Sequence, residues 1–513
     1  MHYNIRVAEV LRAVSRATDV AAARPFGFGQ RVAVAAMAIA ERVGMPDHDR
    51  RDLLVAALLH GAGTAAVGGP VARLVLTDER RHLAEFPVDA IVAALAEVDS
   101  VDQEGEAATG VYIRHHLQLI RFPELTRLWL SRAGLAEPGA IAGLLLERHD
   151  AHGPRGLAGD QLPLTARVLS IAYHLASVRR LIHLPEPFWH GQVDLDGADW
   201  IRALSGRIFD PALVDVAAEV WHDPSVWRAA RLGLETSNHD DEDTADRRLA
   251  VPASHTLDPA ASPSTVDDVS APHDGHASAE HRVGDVDELL ENYVHGIHDV
   301  DEDVPDIDRY IDHLLYAEFG GFLEPTSPVL DAWLSIIGAM SDAKAALEDA
   351  HSRRVATLAQ DIGLALELSD TQLLQLRLAS LLFGAGRLGL PSTLLESAAS
   401  LTPAQRRLLQ EYPRVTRSVL APLAPLGELV TTAALHAERL DGSGYPEGRS
   451  GDEIPLAARI VAVAATYMAL ISERPYRPAY ARSRALAIVQ AQSGALFDGL
   501  VTDSLEAVVR GQI

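Results

Sequence analysis

Apolar residues along this chain recur at intervals of three and four, the period of a helix that buries one face. Val32, Ala35, Ala36, Ile39 and Val43 form one such stripe, and Val355, Leu358, Ala359 and Ile362 form another. Residues 1–17 read as a further amphipathic helix, and the unbroken apolar run 53–59 has core-helix length. The periodicity predicts an all-α protein. One stretch, 441–448, cannot continue a helix, because Gly442, Gly444, Pro446 and Gly448 fall within eight residues. It is expected to be a structured loop between two helices.

The pattern lapses in the middle of the chain. Residues 236–284 contain no Phe, Trp or Tyr. Such a segment buries too little apolar surface to offset the entropy of ordering it, so 235–284 is expected to be a disordered acidic linker. Helical spacing resumes at Val286, Leu289, Leu290, Tyr293 and Ile297, and again at Ile307, Tyr310, Ile311, Leu314 and Leu315. These predict connecting helices over 285–320 that either join the folded part or mediate self-association. No run reaches the ~18 apolar residues of a membrane span. The N-terminus lacks the apolar core of an export signal, so a cytoplasmic protein without membrane contact is expected.

The flanks of this joint resemble each other. Leu58-Leu59-His60-Gly61-Ala62-Gly63 answers Leu381-Leu382-Phe383-Gly384-Ala385-Gly386. Phe122-Pro123, with Thr126-Arg127, answers Tyr412-Pro413, with Thr416-Arg417. Glu147-Arg148-x-Asp150 answers Glu438-Arg439-x-Asp441, and Pro163-Leu164-x-Ala166-Arg167 answers Pro455-Leu456-x-Ala458-Arg459. Ser205-Gly206-x-x-Phe209-Asp210 answers Ser493-Gly494-x-x-Phe497-Asp498. Five matches in one order predict a tandem duplication: a first domain over 1–234, with an insertion near 71–117, and a second over 321–513.

Composition narrows the chemistry. There is no cysteine in 513 residues, which excludes disulfides, thiolate zinc sites and cysteine nucleophiles. The formal net charge is -26, a poor match for a phosphate backbone, so nucleic acid is not an expected partner. Residues 236–312 hold 21 acidic and 4 basic residues, so most of that charge belongs to the joint. The flanking domains are only mildly acidic, which leaves room for an arginine-lined pocket. Lys344 is the single lysine, and its rarity leaves Arg387 open either to composition or to phosphate contact.

The loop and its surroundings carry a resemblance. His436 through Pro446 (HAERLDGSGYP), Gly451 through Arg459 (GDEIPLAAR) and Arg474-Pro475-Tyr476-Arg477 resemble HD-GYP domains. These are all-helical members of the HD phosphohydrolase superfamily, and degenerate modules of this kind resemble actinobacterial regulators. The resemblance implies hydrolysis of cyclic di-GMP at a two- or three-metal centre, whose cations clamp the reacting oxygens. It also implies donors at six places, and the second half departs at most of them. His351 stands at the early histidine, but the His-Asp pair is Phe383-Gly384, and the lysine that follows is Arg387. The next histidine is Tyr412, the paired histidines are His436 and Ala437, and the late aspartate is Ala465. In the first half the same places hold Phe28, His60-Gly61, Phe122, Leu145-Leu146 and Tyr173.

With every bridging carboxylate replaced, the cations would face each other without anionic compensation, so no metal cofactor and no catalytic residue is expected in either half. His60, His351 and His436 are residual family positions that read as hydrogen-bonded core histidines. The adjacent His115 and His116 do not share a helix face, and the linker histidines lack regular spacing. The retained loop carries the functional expectation. Guanidinium forks suit phosphates, and tyrosine suits base stacking. Arg387, His436, Asp441, Gly442, Gly444, Tyr445, Pro446, Arg459, Arg474, Tyr476 and Arg477 are therefore the candidate ligand- or partner-binding residues. The expected function is a catalytically inactive, signalling HD-GYP protein. It would bind a cyclic dinucleotide or dock a protein such as a diguanylate cyclase domain, with a homodimer allowed. The alternatives are an active phosphodiesterase with an altered site and an assembly module.

Overall fold

The computed structural model describes residues 4–24, 26–67, 121–181, 196–228, 310, 313–316, 321–348, 350–397, 400–474 and 477–511. The linker 235–284 and the insertion near 71–117 lie outside the described residues, as does most of 285–320. Within that last stretch residues 313–316 are helical, with Leu314 and Leu315 buried.

The fold is all-α. In the first half the helices that position the candidate sites are α1 (Val7–Ala21), α2 (Phe28–Arg42), α3 (Asp47–Leu59), α4 (Phe122–Arg132), α5 (Leu164–Leu181) and α6 (Pro211–His222). In the second half they are α7 (Pro328–Lys344), α8 (His351–Ala365), α9 (Asp370–Leu382), α10 (Tyr412–Leu420), α11 (Leu429–Leu435), α12 (Leu456–Ile471) and α13 (Gly499–Val509). The periodic stripes face inward as their spacing requires. Val32, Ala35, Ala36 and Ile39 are buried in α2, and Val355, Ala359 and Ile362 in α8.

The first helix departs from expectation. It starts at Val7, and 14 of its 15 residues are buried, including Arg12, Ser15, Arg16, Thr18 and Asp19. The amphipathic helix read over 1–17 is present with its bounds shifted to Val7–Ala21, and its polar side is buried as well. Its polar stripe is covered because α2 and α3 of the first half and α7 and α10 of the second all pack on it. Two polar ties fix this arrangement: Arg16 donates to the Ser418 carbonyl at 3.1 Å, and Val7 N donates to Gly321 O at 3.1 Å. Just before α1, Ile5–Arg6 (β1) pairs antiparallel with Phe322–Leu323 (β2), in the register Ile5 with Leu323.

The recurring landmarks make matching contacts in both halves. Gly63 N donates to Thr126 Oγ1 at 2.8 Å, and Gly386 N donates to Thr416 Oγ1 at 2.9 Å. A Cβ on Gly63 would lie 2.0 Å from the Phe122 carbonyl oxygen, and one on Gly386 would lie 1.8 Å from that of Tyr412. Only glycine allows α4 and α10 to approach this closely. Arg167 pairs with Asp210, and Arg459 pairs with Asp498 at 2.9 Å. Both aspartates also cap the helix that follows them, α6 and α13 respectively.

Gly386→Ala is expected to lower stability by about 2–4 kcal/mol, because the methyl group meets backbone rather than a movable side chain. Gly499→Ala, whose methyl would meet only Ser493 Oγ at 3.6 Å, is expected to stay near wild type. Thermal denaturation of the two variants checks the difference.

Candidate functional site

The second-half site is built around His436, at the end of α11, 4% exposed. Its Nδ1 lies 2.7 Å from the Ala433 carbonyl oxygen and its Nε2 lies 2.6 Å from the Tyr412 hydroxyl. A carbonyl only accepts, so Nδ1 carries the proton and Nε2 accepts from Tyr412. Burial, with the charge of Arg387 next, depresses the imidazole to about 3, which keeps it neutral. The ring of Tyr445, from the glycine-rich loop, meets the Tyr412 ring edge to face at 6.2 Å. Burial pushes the Tyr445 phenol up.

Arg387, in the 3-10 turn Ala385–Gly389, covers this group. Its guanidinium carbon is 5.0 Å from the Phe383 ring centre and 5.3 Å from that of Tyr412. None of the described residues accepts a hydrogen bond from its guanidinium. The other histidine, His351, opens α8, is buried, and leaves its Nδ1 without a hydrogen-bond partner. Burial, then the charges of Arg474, Arg387 and Arg354, depress it to about 3. Beside it, Asp342 accepts from Ser352 N at 2.9 Å and from Ser352 Oγ at 2.6 Å, capping α8. Burial raises the Asp342 carboxyl to about 6.

The remaining sequence candidates divide by role. Asp441 is exposed and accepts from Ser443 N at 2.9 Å, while Gly442 adopts φ +78 to turn the loop. Gly444 passes so close to Glu438 that a Cβ would lie 2.4 Å from its Cα. Pro446 offers its carbonyl to Arg414 at 2.8 Å. Two of the arginines belong to the scaffold. Arg459 donates to the Ile454 carbonyl at 2.8 Å and pairs with Asp452 and Asp498 at 2.9 Å. Arg477 donates to the carbonyls of Leu470 at 3.0 Å and Ala469 at 2.6 Å, capping the end of α12. Arg474 bridges to Arg477 through the backbone, and its charge acts on His351. Tyr476 lies outside the described residues. The site thus gathers Arg387, His436 and Tyr445, with Phe383, Tyr412 and Asp342 as members that sequence reasoning did not select. Asp342 had a legible signal: it precedes His351 by nine residues, as Asp19 precedes Phe28.

The first-half counterpart is packed solid. Phe28, His60 and Tyr173 meet pairwise at ring-centre distances of 5.1–6.1 Å. Arg24 donates to the Tyr173 hydroxyl at 2.7 Å and stacks over Phe28 at 4.1 Å. His60 Nδ1 lies 2.7 Å from the Ala57 carbonyl oxygen.

The side chains at these places do not fit the family's metal pair. Phenyl, phenol and methyl groups offer cations no anionic bridge. At Gly384 a Cβ would lie 2.3 Å from Ser341 Oγ, so a hydroxyl fills the space a bridging carboxylate would need. Among the described residues no three His, Asp or Glu converge as a metal site would require.

The buried titratable groups set a pH dependence. His60, His351 and His436 are depressed to about 3 and His174 to about 4, all chiefly by burial. Each contributes stability that is present above its ordinary pKa and lost as pH falls through the window toward the folded value. Asp19 and Asp342, raised by burial to about 7 and about 6, act in the opposite sense. With four groups against two, the urea midpoint is expected to fall between pH 7 and pH 5. A midpoint that rises on acidification would contradict the neutral buried imidazoles.

Residues 338–501 match the family model described as HD domain. The 3'3'-cGAMP-specific phosphodiesterase 3 of Vibrio cholerae serotype O1 is 40% identical over 167 residues, 32% of this chain and 36% of that protein. The cyclic di-GMP phosphodiesterase response regulator RpfG of Xanthomonas campestris pv. campestris is 38% identical over 144 residues, 27% of this chain and 38% of its own length. A cyclic di-GMP phosphodiesterase of Thermotoga maritima is 29% identical over 175 residues, 33% of this chain and 47% of that protein. The chain thus spans less than half the length of these relatives. The crystal structure of the cyclic GMP-AMP specific phosphodiesterase V-cGAP3 of V. cholerae superposes with a TM-score of 0.56 at 20% identity, covering 99% of both chains, which bears on the fold alone. Through residues 338–501 this chain belongs to the HD-GYP family of HD domains.

Proposed function

We propose that this phosphodiesterase-like HD-GYP protein binds a cyclic dinucleotide without hydrolysing it and acts in signalling through that binding. The two halves are read as degenerate copies of one domain, and the second holds the ligand. The observation that carries this reading is the Arg387 guanidinium, stacked on two aromatic rings with no described acceptor. Five N–H donors held in place without acceptors suit a phosphodiester oxygen. Positive charge that relatives obtain from metal ions would here come from a side chain, which binds an anion but does not acidify a water. Tyr445, anchored through Tyr412 and His436, offers a fixed ring edge beside it. The named activities of the relatives, on cyclic di-GMP and 3'3'-cGAMP, supply the ligand class.

Metal content by mass spectrometry and hydrolysis of both dinucleotides test the inactive reading. The expected result is less than one bound metal per chain and no turnover. Two metals with turnover that His436→Ala abolishes would establish the altered-site enzyme instead. In titration calorimetry, Arg387→Ala is expected to weaken dinucleotide binding about tenfold or more, from the loss of one charge-assisted contact of about 1.5–3 kcal/mol. Unchanged binding would remove Arg387 from the site.

A further inference from the structure

The first half holds an open cleft of about 560 Å³ outside the segment that matches the family model. It lies between the start of α4 and the loop that Glu147 anchors. In the second half Tyr445 meets the Tyr412 ring edge to face, Arg414 reaches the Pro446 carbonyl at 2.8 Å, and Arg417 pairs with Glu447 at 2.6 Å, which ties the loop to α10. In the first half the loop is one residue shorter and has no tyrosine, and Phe122 stands at the Tyr412 position without a hydroxyl. The loop keeps an ion pair to α4, between Arg155 and Glu124, but lacks the aromatic contact, and the cleft lies beside that pair.

Its lining is chemically specific. Arg121, Arg127 and Arg155 bring three guanidiniums, while Pro123, Leu146 and Pro154 supply an apolar floor. The stem of Arg127 lies where a side chain on Gly143 would stand, 3.0 Å from the position of its Cβ. Glu147 is buried and accepts from Arg155 N at 2.8 Å, so its carboxylate is occupied by the loop backbone. Glu124 alone faces the arginines: Arg127 Nε donates to it at 2.9 Å, and Arg155 also pairs with it. No described residue pairs with Arg121. A single carboxylate thus sits between two guanidiniums as a ligand anion would, and Arg121 lines the same cleft.

We propose that this cleft is a second binding site, for a small phosphorylated molecule of nucleotide size. Its phosphate would take Arg121, Arg127 and Arg155, and its apolar part would lie on Pro123, Leu146 and Pro154. The volume falls within the range of small-molecule sites. Glu124 competes with the phosphate for two of the three guanidiniums. The site is independent of Arg387 and of what the second half binds.

Titration calorimetry on the full chain carrying Arg387→Ala, which weakens the second-half site, tests it, with guanosine 5'-monophosphate, 3'3'-cGAMP and inorganic phosphate as probes. At least one nucleotide is expected to bind. Adding Arg121→Ala, which removes a side chain with no described partner and so leaves the fold intact, is expected to weaken that binding about tenfold. Adding Glu124→Gln instead is expected to tighten it by a similar factor, because the competing charge is gone. No heat from either nucleotide, or heat indifferent to Arg121→Ala, would overturn the site. Equal affinity for inorganic phosphate would overturn the nucleotide-sized ligand, and weaker binding in Glu124→Gln would overturn the competitor role of that carboxylate.

Discussion

The burial of α1 is the constraint on which the rest of the structure depends. A helix with Arg12, Arg16 and Asp19 on its surface is stable without solvent only if its neighbours supply partners for those groups. They come from both halves. Asp19 accepts from Phe28 N and Gly29 N at 3.0 Å in the first half, and Arg16 reaches Ser418 in the second. Because α1 packs on the turn that carries Arg387 and on α10, which carries Tyr412, the second-half site is braced by a helix from the first.

The two counterpart centres are filled by the same physical means and reach opposite outcomes. In each, an arginine stacks on aromatic rings beside a neutral, buried imidazole. In the first half Arg24 donates to the Tyr173 hydroxyl within the packed centre, while its Nε has no partner. In the second half the Tyr412 hydroxyl is taken by His436, and none of the described residues accepts a hydrogen bond from the Arg387 guanidinium. The two phenols stand at different places, Tyr173 at that of the late aspartate and Tyr412 at that of the histidine which is Phe122 in the first half. Above these centres the relation reverses. The second-half loop closes through Tyr445, while the first-half loop, without that ring, leaves a cleft that arginines surround.

Much of the helical fold was legible in the chain, because a stripe such as Val355, Ala359 and Ile362 has only one way to hide. The matching landmarks were legible for a related reason. Gly63 and Gly386, or Asp210 and Asp498, are held by steric and capping demands that few residue types meet, so their identities show in sequence. The site was legible only in part. Arg387, His436 and Tyr445 stood out through the resemblance, but Arg459 and Arg477 looked equally suited to a ligand. Their guanidiniums instead serve backbone carbonyls and aspartates. A planar fork of donors suits a helix end as well as a phosphate, and only the position of the acceptors distinguishes the two uses.

The sequence by itself determined the helical class, the loop at 441–448 and the loss of the family's carboxylates, since each follows from residue type at a local spacing. Tertiary structure alone decided that α1 is interior to both halves, that Tyr412 donates its hydrogen bond to His436, and that arginines near Glu124 line an open cleft. Each of these joins groups that are tens to hundreds of residues apart, and no local period or motif encodes which of several possible partners a buried polar atom will meet.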